Sequence, residues 1–208
     1  MKKLAITIAA VFATLNIFAQ GTVNFANLGL TTPTSPDAFV RLGVPITVGS
    51  TTYAVGAKAP AGATFTVQLF WSPFDAANPS APTAPFQAQT PSGHLAIAGV
   101  YNLGTVTIAG ITPPGGMGWF EVKGWQSALA GTAFNGYDDA AAAGVPVGVS
   151  AMFLLGGTGN PLPPNPTVPV SMGTGHGGLT LIPVPEPAML GLGLLGGAAL
   201  LLLRRRNK

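Results

Sequence analysis

Few side chains in this sequence have the chemistry for acid–base catalysis or metal binding, and their spacing constrains function first. His94 and His176 are the two histidines. A metal centre would need both together with a carboxylate, and neither stands at ligand spacing from another donor. His94 falls at a strand start with its ring half exposed, and His176 falls among glycines. Asp138 and Asp139 are adjacent, so they point about 100° apart on a helix or to opposite faces of a strand. Their expected role is as helix-start charges, since a calcium loop needs several more oxygens. There is no cysteine, which removes disulfides, thiolate metal sites and a cysteine nucleophile together. Neither G-x-S-x-G nor a phosphate loop occurs between the two ends. No metal, no cofactor and no enzymatic activity are expected; a hydrolase would need two carboxylates within about 10 Å in a cleft.

Aromatic side chains offer a second kind of chemistry. Trp71, Trp119 and Trp125 could stack on the apolar faces of sugars, or could anchor a β-sheet core as strand tryptophans commonly do. Trp119 shares strand parity with Glu121 and Lys123, opposite Phe120 and Val122, which makes it the best candidate for exposure. Trp119 and Trp125 are therefore the candidate sugar platform.

Charge narrows the partners. The formal net charge is +3, but Lys2, Lys3, Arg204, Arg205, Arg206 and Lys208 all lie at the ends. Between them Arg41, Lys58 and Lys123 face Asp37, Asp75, Glu121, Asp138 and Asp139, a net −2. No basic patch remains to displace counterions from a phosphate backbone, so nucleic acid is not an expected partner. Charged residues make up 7% of the chain, against roughly 25% in ordinary soluble domains. A surface built from Thr, Ser, Asn, Gln, Gly and Ala repels other surfaces weakly, which suits association with glycans, a matrix or further copies of the chain.

The two ends look like processing segments. In residues 1–19, Lys2 and Lys3 form a basic start, Leu4 to Phe18 an apolar run and Ala19 a small residue before Gln20, the pattern of a secretory signal helix cut between Ala19 and Gln20. At the other end Ala188 to Leu203 are sixteen apolar residues. As a helix they would span roughly 24 Å, short of a bilayer core of about 30 Å. Such a length suits a transient transmembrane anchor. Pro183, Pro185 and Pro187 force an extended approach to it, and residues 204–208 form a basic tail that stays cytoplasmic by the positive-inside bias. Gly191, Gly193 and Gly196 spell G-x-G-x-x-G inside this segment, but no strand, following helix or acidic residue accompanies them, so no dinucleotide site is implied.

Pro185-Glu186-Pro187, a Gly- and Leu-rich helix and terminal Arg204-Arg205-Arg206 resemble the PEP-CTERM protein-sorting signal of Gram-negative bacteria. The resemblance covers residues 184–208 and implies an exosortase-like membrane protease as partner, with Pro185, Glu186 and Pro187 as the recognised motif. It also implies export, a passing attachment to the inner membrane and delivery to the cell envelope or the outside.

Between the ends, short β-type runs are broken by many of the chain's 29 Gly and 20 Pro, which argues for turns and against long helices. The cleanest run is ATFTVQLFW, where Phe65, Val67, Leu69 and Trp71 alternate with Thr64, Thr66, Gln68 and Phe70. Further runs start at Thr22, Phe39, His94, Gly104, Gly118, Val147 and Leu179, and Pro45 demotes its run to an edge or bulge. GYDDAAAAG is the one helical candidate, with Asn135 as cap and Gly144 as left-handed stop. The expected class is all-β, an antiparallel two-sheet sandwich of jelly-roll or immunoglobulin-like kind over residues 20–155. Residues 156–183 read as a Gly/Pro-rich spacer with a final strand near 179–182. Gly21 to Asn27 (G-x-V-x-F-x-N), the VQLFW strand and FEVKGWQ with its alanine-rich turn are similar to uncharacterised secreted PEP-CTERM proteins. Those relatives would carry a charge where Gln126 stands, and no activity transfers from them. The expectation is a non-catalytic exported surface or matrix protein associated with envelope or exopolysaccharide or with itself; the alternative is a carbohydrate-binding sandwich module with a tryptophan platform.

Overall fold

The structure, a computed structural model, describes residues 20–27, 38–111, 116–129, 131–160, 166–172 and 176–184. The signal segment with Ala19, the sorting motif Pro185, Glu186 and Pro187, the apolar stretch 188–203 and Arg204, Arg205 and Arg206 lie outside the described residues.

The class is all-β. In chain order the strands are β1 (Gln20–Ala26), β2 (Val40–Leu42), β3 (Ile46–Val48), β4 (Thr51–Tyr53) and β5 (Gly62–Pro73). Then come β6 (Gln87–Ala88), β7 (Gly93–Leu95), β8 (Asn102–Ala109), β9 (Gly118–Gln126), β10 (Ala128–Leu129) and β11 (Thr132–Ala133). After a short helix, α1 (Tyr137–Ala142), follow β12 (Pro146–Val149), β13 (Phe153–Leu155), β14 (Val170–Ser171) and β15 (Leu179–Pro183). The larger sheet runs β2-β15-β12-β9-β5-β6, with β13 also on β9 and β7 also on β5. The smaller runs β14-β1-β8, and β3-β4 and β10-β11 are separate hairpins. The sheets are mixed where antiparallel ones were expected: β14 runs parallel to β1, and β15 parallel to β2.

Period-two alternation explains the core. Phe65, Val67, Leu69 and Trp71 of β5 are all buried, as are Phe120 and Val122 of its partner β9. They share one apolar cluster with Val23 and Phe25 of β1 and Val106 and Ile108 of β8. Trp71 is thus a core residue. The run from Phe39 breaks at Pro45 into β2, at the end of its sheet, and β3, in a separate hairpin. The run from His94 shortens to β7 because Gly99, at φ 72°, turns the chain back so that Ile97 pairs with Val100. The run from Val147 divides at Ser150, whose Oγ accepts from the Val122 amide while its own amide donates to the Val122 carbonyl. A polar side chain inserted in the ladder makes a bulge there, with β12 and β13 on either side of it.

The early G-x-V-x-F-x-N pattern is a structural unit. A Cβ on Gly21 would lie 2.4 Å from Thr158 Oγ1, Val23 and Phe25 fill the core, and Asn27 is buried. Asn27 Nδ2 donates to the carbonyls of Ala38 (2.8 Å) and Gly99 (2.9 Å), and its Oδ1 accepts from the Tyr101 amide (2.8 Å). One side chain therefore ties β1 to two loops. Asn27→Ala is expected to cost about 3 kcal/mol, since the Ala38 carbonyl and the Tyr101 amide are left unsatisfied while the Gly99 carbonyl keeps the Val40 amide, read as a lowered urea midpoint against an unchanged control at exposed Asn24.

Residues 156–183, expected as a spacer, instead contribute strands and buried side chains to the folded body. Thr158, Met172 and His176 are buried, each no more than 1% exposed. Thr22 and Gly159 exchange both backbone hydrogen bonds, at 2.7 and 2.9 Å. Gly159 lets this segment lie against β1: a Cβ there would collide with Thr22 Oγ1. The final strand forms as β15, inserted between β2 and β12. His176 is not a loose residue among glycines. Its Nε2 lies 2.6 Å from the Tyr101 hydroxyl, between the rings of Tyr101 and Phe153.

Candidate functional site

The outer face of β5 and β9 carries the side chains that alternation turns away from the main core. On β5 these are Thr66, Gln68 and Phe70, and on β9 Trp119, Glu121, Lys123 and Trp125. The hairpin β10–β11 and helix α1 fold over part of this face. Trp125 is 1% exposed, packed in a second cluster with Ala140, Val145 and Val147, with Phe134, Tyr137 and Val184 against it. Its indole Nε1 donates to the Phe134 carbonyl at 3.2 Å. Trp119 is half-buried, with its indole nitrogen enclosed and unpartnered. Trp119 and Trp125 therefore form no open sugar platform, because the segment after β9 returns over the sheet and covers Trp125.

Helix α1 starts where the Gly-Tyr-Asp-Asp run predicts it. Gly136 is the N-cap and makes no side-chain cap bond, so Asn135 is not the cap. Asp138 and Asp139 occupy the first turn, and Gly144, at φ 68°, follows the last turn as the left-handed stop. Asn135 is exposed and faces a pocket of about 300 Å³.

That pocket gathers Thr66 from β5, His94 from β7, Ser127 after β9, and Phe134 and Asn135 after β11. Its polar groups form a chain: Ser127 Oγ is 2.5 Å from Thr66 Oγ1, which is 3.2 Å from His94 Nδ1. His94 Nδ1 also lies 3.3 Å from the Phe65 carbonyl oxygen. His94 itself is exposed. No carboxylate lines this pocket. The arrangement donates and accepts hydrogen bonds, and no lysine or arginine lines it either.

A second pocket of about 230 Å³ lies farther along β5, lined by Gln68, Phe70, Ala88, Tyr137, Asp138 and Asp139. Beside it the Lys123 ammonium is 3.2 Å from Glu121 Oε1 and sits over the rings of Phe70 (4.5 Å) and Tyr137 (5.0 Å). Burial first, then the charges of Asp138 and Glu121, push the Tyr137 phenol up from its ordinary value. It stays protonated at neutral pH as a donor.

Among the described residues no group of three or more His, Asp or Glu is placed to hold a metal ion, and no helix is long and apolar enough to cross a membrane. Gln20, the residue after the expected signal cut, opens β1 opposite Ala109. Gln126 is buried and its side-chain amide donates to the Ala128 carbonyl, shaping the turn into β10. Thr66, Ser127 and Phe134 were not singled out from the sequence, since no spacing links them. No protein-family profile, no curated protein and no solved structure matches the chain.

Proposed function

We propose that the chain is a non-catalytic exported surface or matrix protein, built on a two-sheet sandwich and delivered through its PEP-CTERM-like tail. The core shared by β1, β8, β5 and β9 supports the sandwich. The observation that carries the reading is the junction at the C-terminal end. Strand β15 closes at Pro183, Val184 packs on the second cluster, and Pro185-Glu186-Pro187 follows at once. A cut at or after the motif leaves every described strand with the released domain. An exosortase-like membrane protease is the proposed partner, and Arg204, Arg205 and Arg206 hold the tail on the cytoplasmic side before processing. Mass spectrometry of the protein recovered from its native host tests this: the expected C-terminus lies close to Pro187. An intact Lys208 in the membrane fraction would refute sorting.

A second reading, a carbohydrate-binding module, is favoured by the two pockets on the outer face of β5. Their lining of hydroxyls, amides and aromatic rings supports it, with a different set of residues from the Trp119 and Trp125 pair.

A further inference from the structure

The two pockets share their boundaries in register. The floor is β5, with Thr66 in the first pocket, Gln68 and Phe70 in the second. One wall is the run from Phe134 to Asp139: Phe134 and Asn135 line the first, Tyr137 and Asp138 the second. The other wall is the strand edge formed by β7 and β6, with His94 opposite Thr66 and Ala88 opposite Phe70. From this common order we infer that the pockets are two ends of one groove that binds an extended, uncharged glycan chain, a deepening of the carbohydrate-binding reading on which it rests. From Thr66 to Phe70 the floor extends about 13 Å at the rise of a β-strand, longer than a single sugar ring.

The chemistry of the occupant follows from what the groove presents. Strand β5 is paired on both sides, with β9 and with β6 and β7, so its backbone cannot take a peptide as an added strand. Recognition must come from side chains. In the first pocket these are Thr66, His94, Ser127 and Asn135 around the ring of Phe134, groups that match a polyol with an apolar face. In the second, Gln68, the Tyr137 phenol and the carboxylates of Asp138 and Asp139 serve sugar hydroxyls and repel an anionic polymer. Lys123, the cation beside it, is held by Glu121 and by two aromatic faces.

The test is affinity electrophoresis of the full chain in mild detergent through gels containing dextran, galactomannan, xyloglucan or laminarin, with alginate as the anionic comparator. At least one neutral polymer is expected to retard the protein, and alginate is not. His94→Ala with Asn135→Ala, both at exposed positions, is expected to weaken that binding at least tenfold. Tyr137→Ala is expected to weaken it separately, while Thr107→Ala on exposed β8 leaves it unchanged; near-ultraviolet circular dichroism confirms that each variant is folded. Binding of a neutral polymer that none of the groove variants alters would overturn the site and leave the carbohydrate reading standing. No retardation by any neutral polymer would remove both, and stronger retardation by alginate would overturn the uncharged class.

Discussion

A chain ended at Gly178 is expected to show no cooperative unfolding transition, while one ended at Val184 unfolds as a single domain. The difference between them is β15 with Val184. Leu179 and Leu181 are 3% and 0% exposed, and removing two buried leucine side chains costs about 4–10 kcal/mol. That alone is comparable to the whole stability of an ordinary domain, about 5–15 kcal/mol. Backbone loss adds to it. Strand β15 pairs with β2 at Val40, Arg41 and Leu42 and with β12 at Pro146 and Val147, so its removal leaves β2 without its neighbour in the sheet. Gly148 records how closely β15 passes: a Cβ there would stand 2.4 Å from the Thr180 carbonyl oxygen. Urea titration followed by tryptophan fluorescence distinguishes the two chains, and equal midpoints would show that β15 is dispensable.

Acidification from pH 7 to pH 4 is expected to remove about 3 kcal/mol of stability through His176 alone. Burial lowers its pKa from 6.5 to about 4. Above pH 6.5 the imidazole is neutral in both folded and unfolded chains and the stability is complete. Below that, the unfolded chain binds a proton that the folded one refuses, so stability falls by about 1.4 kcal/mol per pH unit until the folded pKa is reached. The environment explains the refusal. Burial holds the Tyr101 phenol protonated, well above its ordinary value, and its hydroxyl lies in hydrogen-bond contact with His176 Nε2. Nδ1 has no partner, and the rings of Phe153 and Tyr101 flank the imidazole. The imidazolium would enclose a positive charge among these rings, with its Nδ1–H lacking an acceptor. His176→Gln keeps a hydrogen-bonding partner for Tyr101 and is expected to flatten the pH dependence between 6.5 and 4. A variant as acid-sensitive as the parent would assign that sensitivity elsewhere.

Much of the framework is legible in the order of residues. The alternation of Phe65 to Trp71, the runs that became β8, β9 and β15, and the Asp138-Asp139 start and Gly144 stop of α1 all rest on local rules. What escapes is set by distant partners. Nothing near His176 in sequence reports its burial, which depends on Tyr101 and Phe153. Glycine and proline in residues 156–183 suggest a loose strap, yet Gly159 is what allows close backbone approach to β1 at Thr22. Parallel pairing of β15 with β2 leaves no turn signal, since parallel neighbours are joined by long connections. The groove is similarly silent: Thr66, His94, Ser127 and Asn135 come from four separate stretches. The hidden state of Trp125 follows from a return of the chain that its own strand pattern cannot announce.

The pairing of the first strands with the last has a consequence in time. Strand β1 lies beside β14, and β2 beside β15, so the sheets close only when the two ends of the body meet. Contacts between such distant segments form late and slowly, because the intervening loop must first be closed. A chain emerging from its N-terminus, from a ribosome or through a narrow pore, therefore has its opening strands waiting unpaired on one side until residues 170–183 have followed. Completion of the fold then reports that residues 170–183 have passed, and the cell is left with an open, threadable polypeptide until that moment.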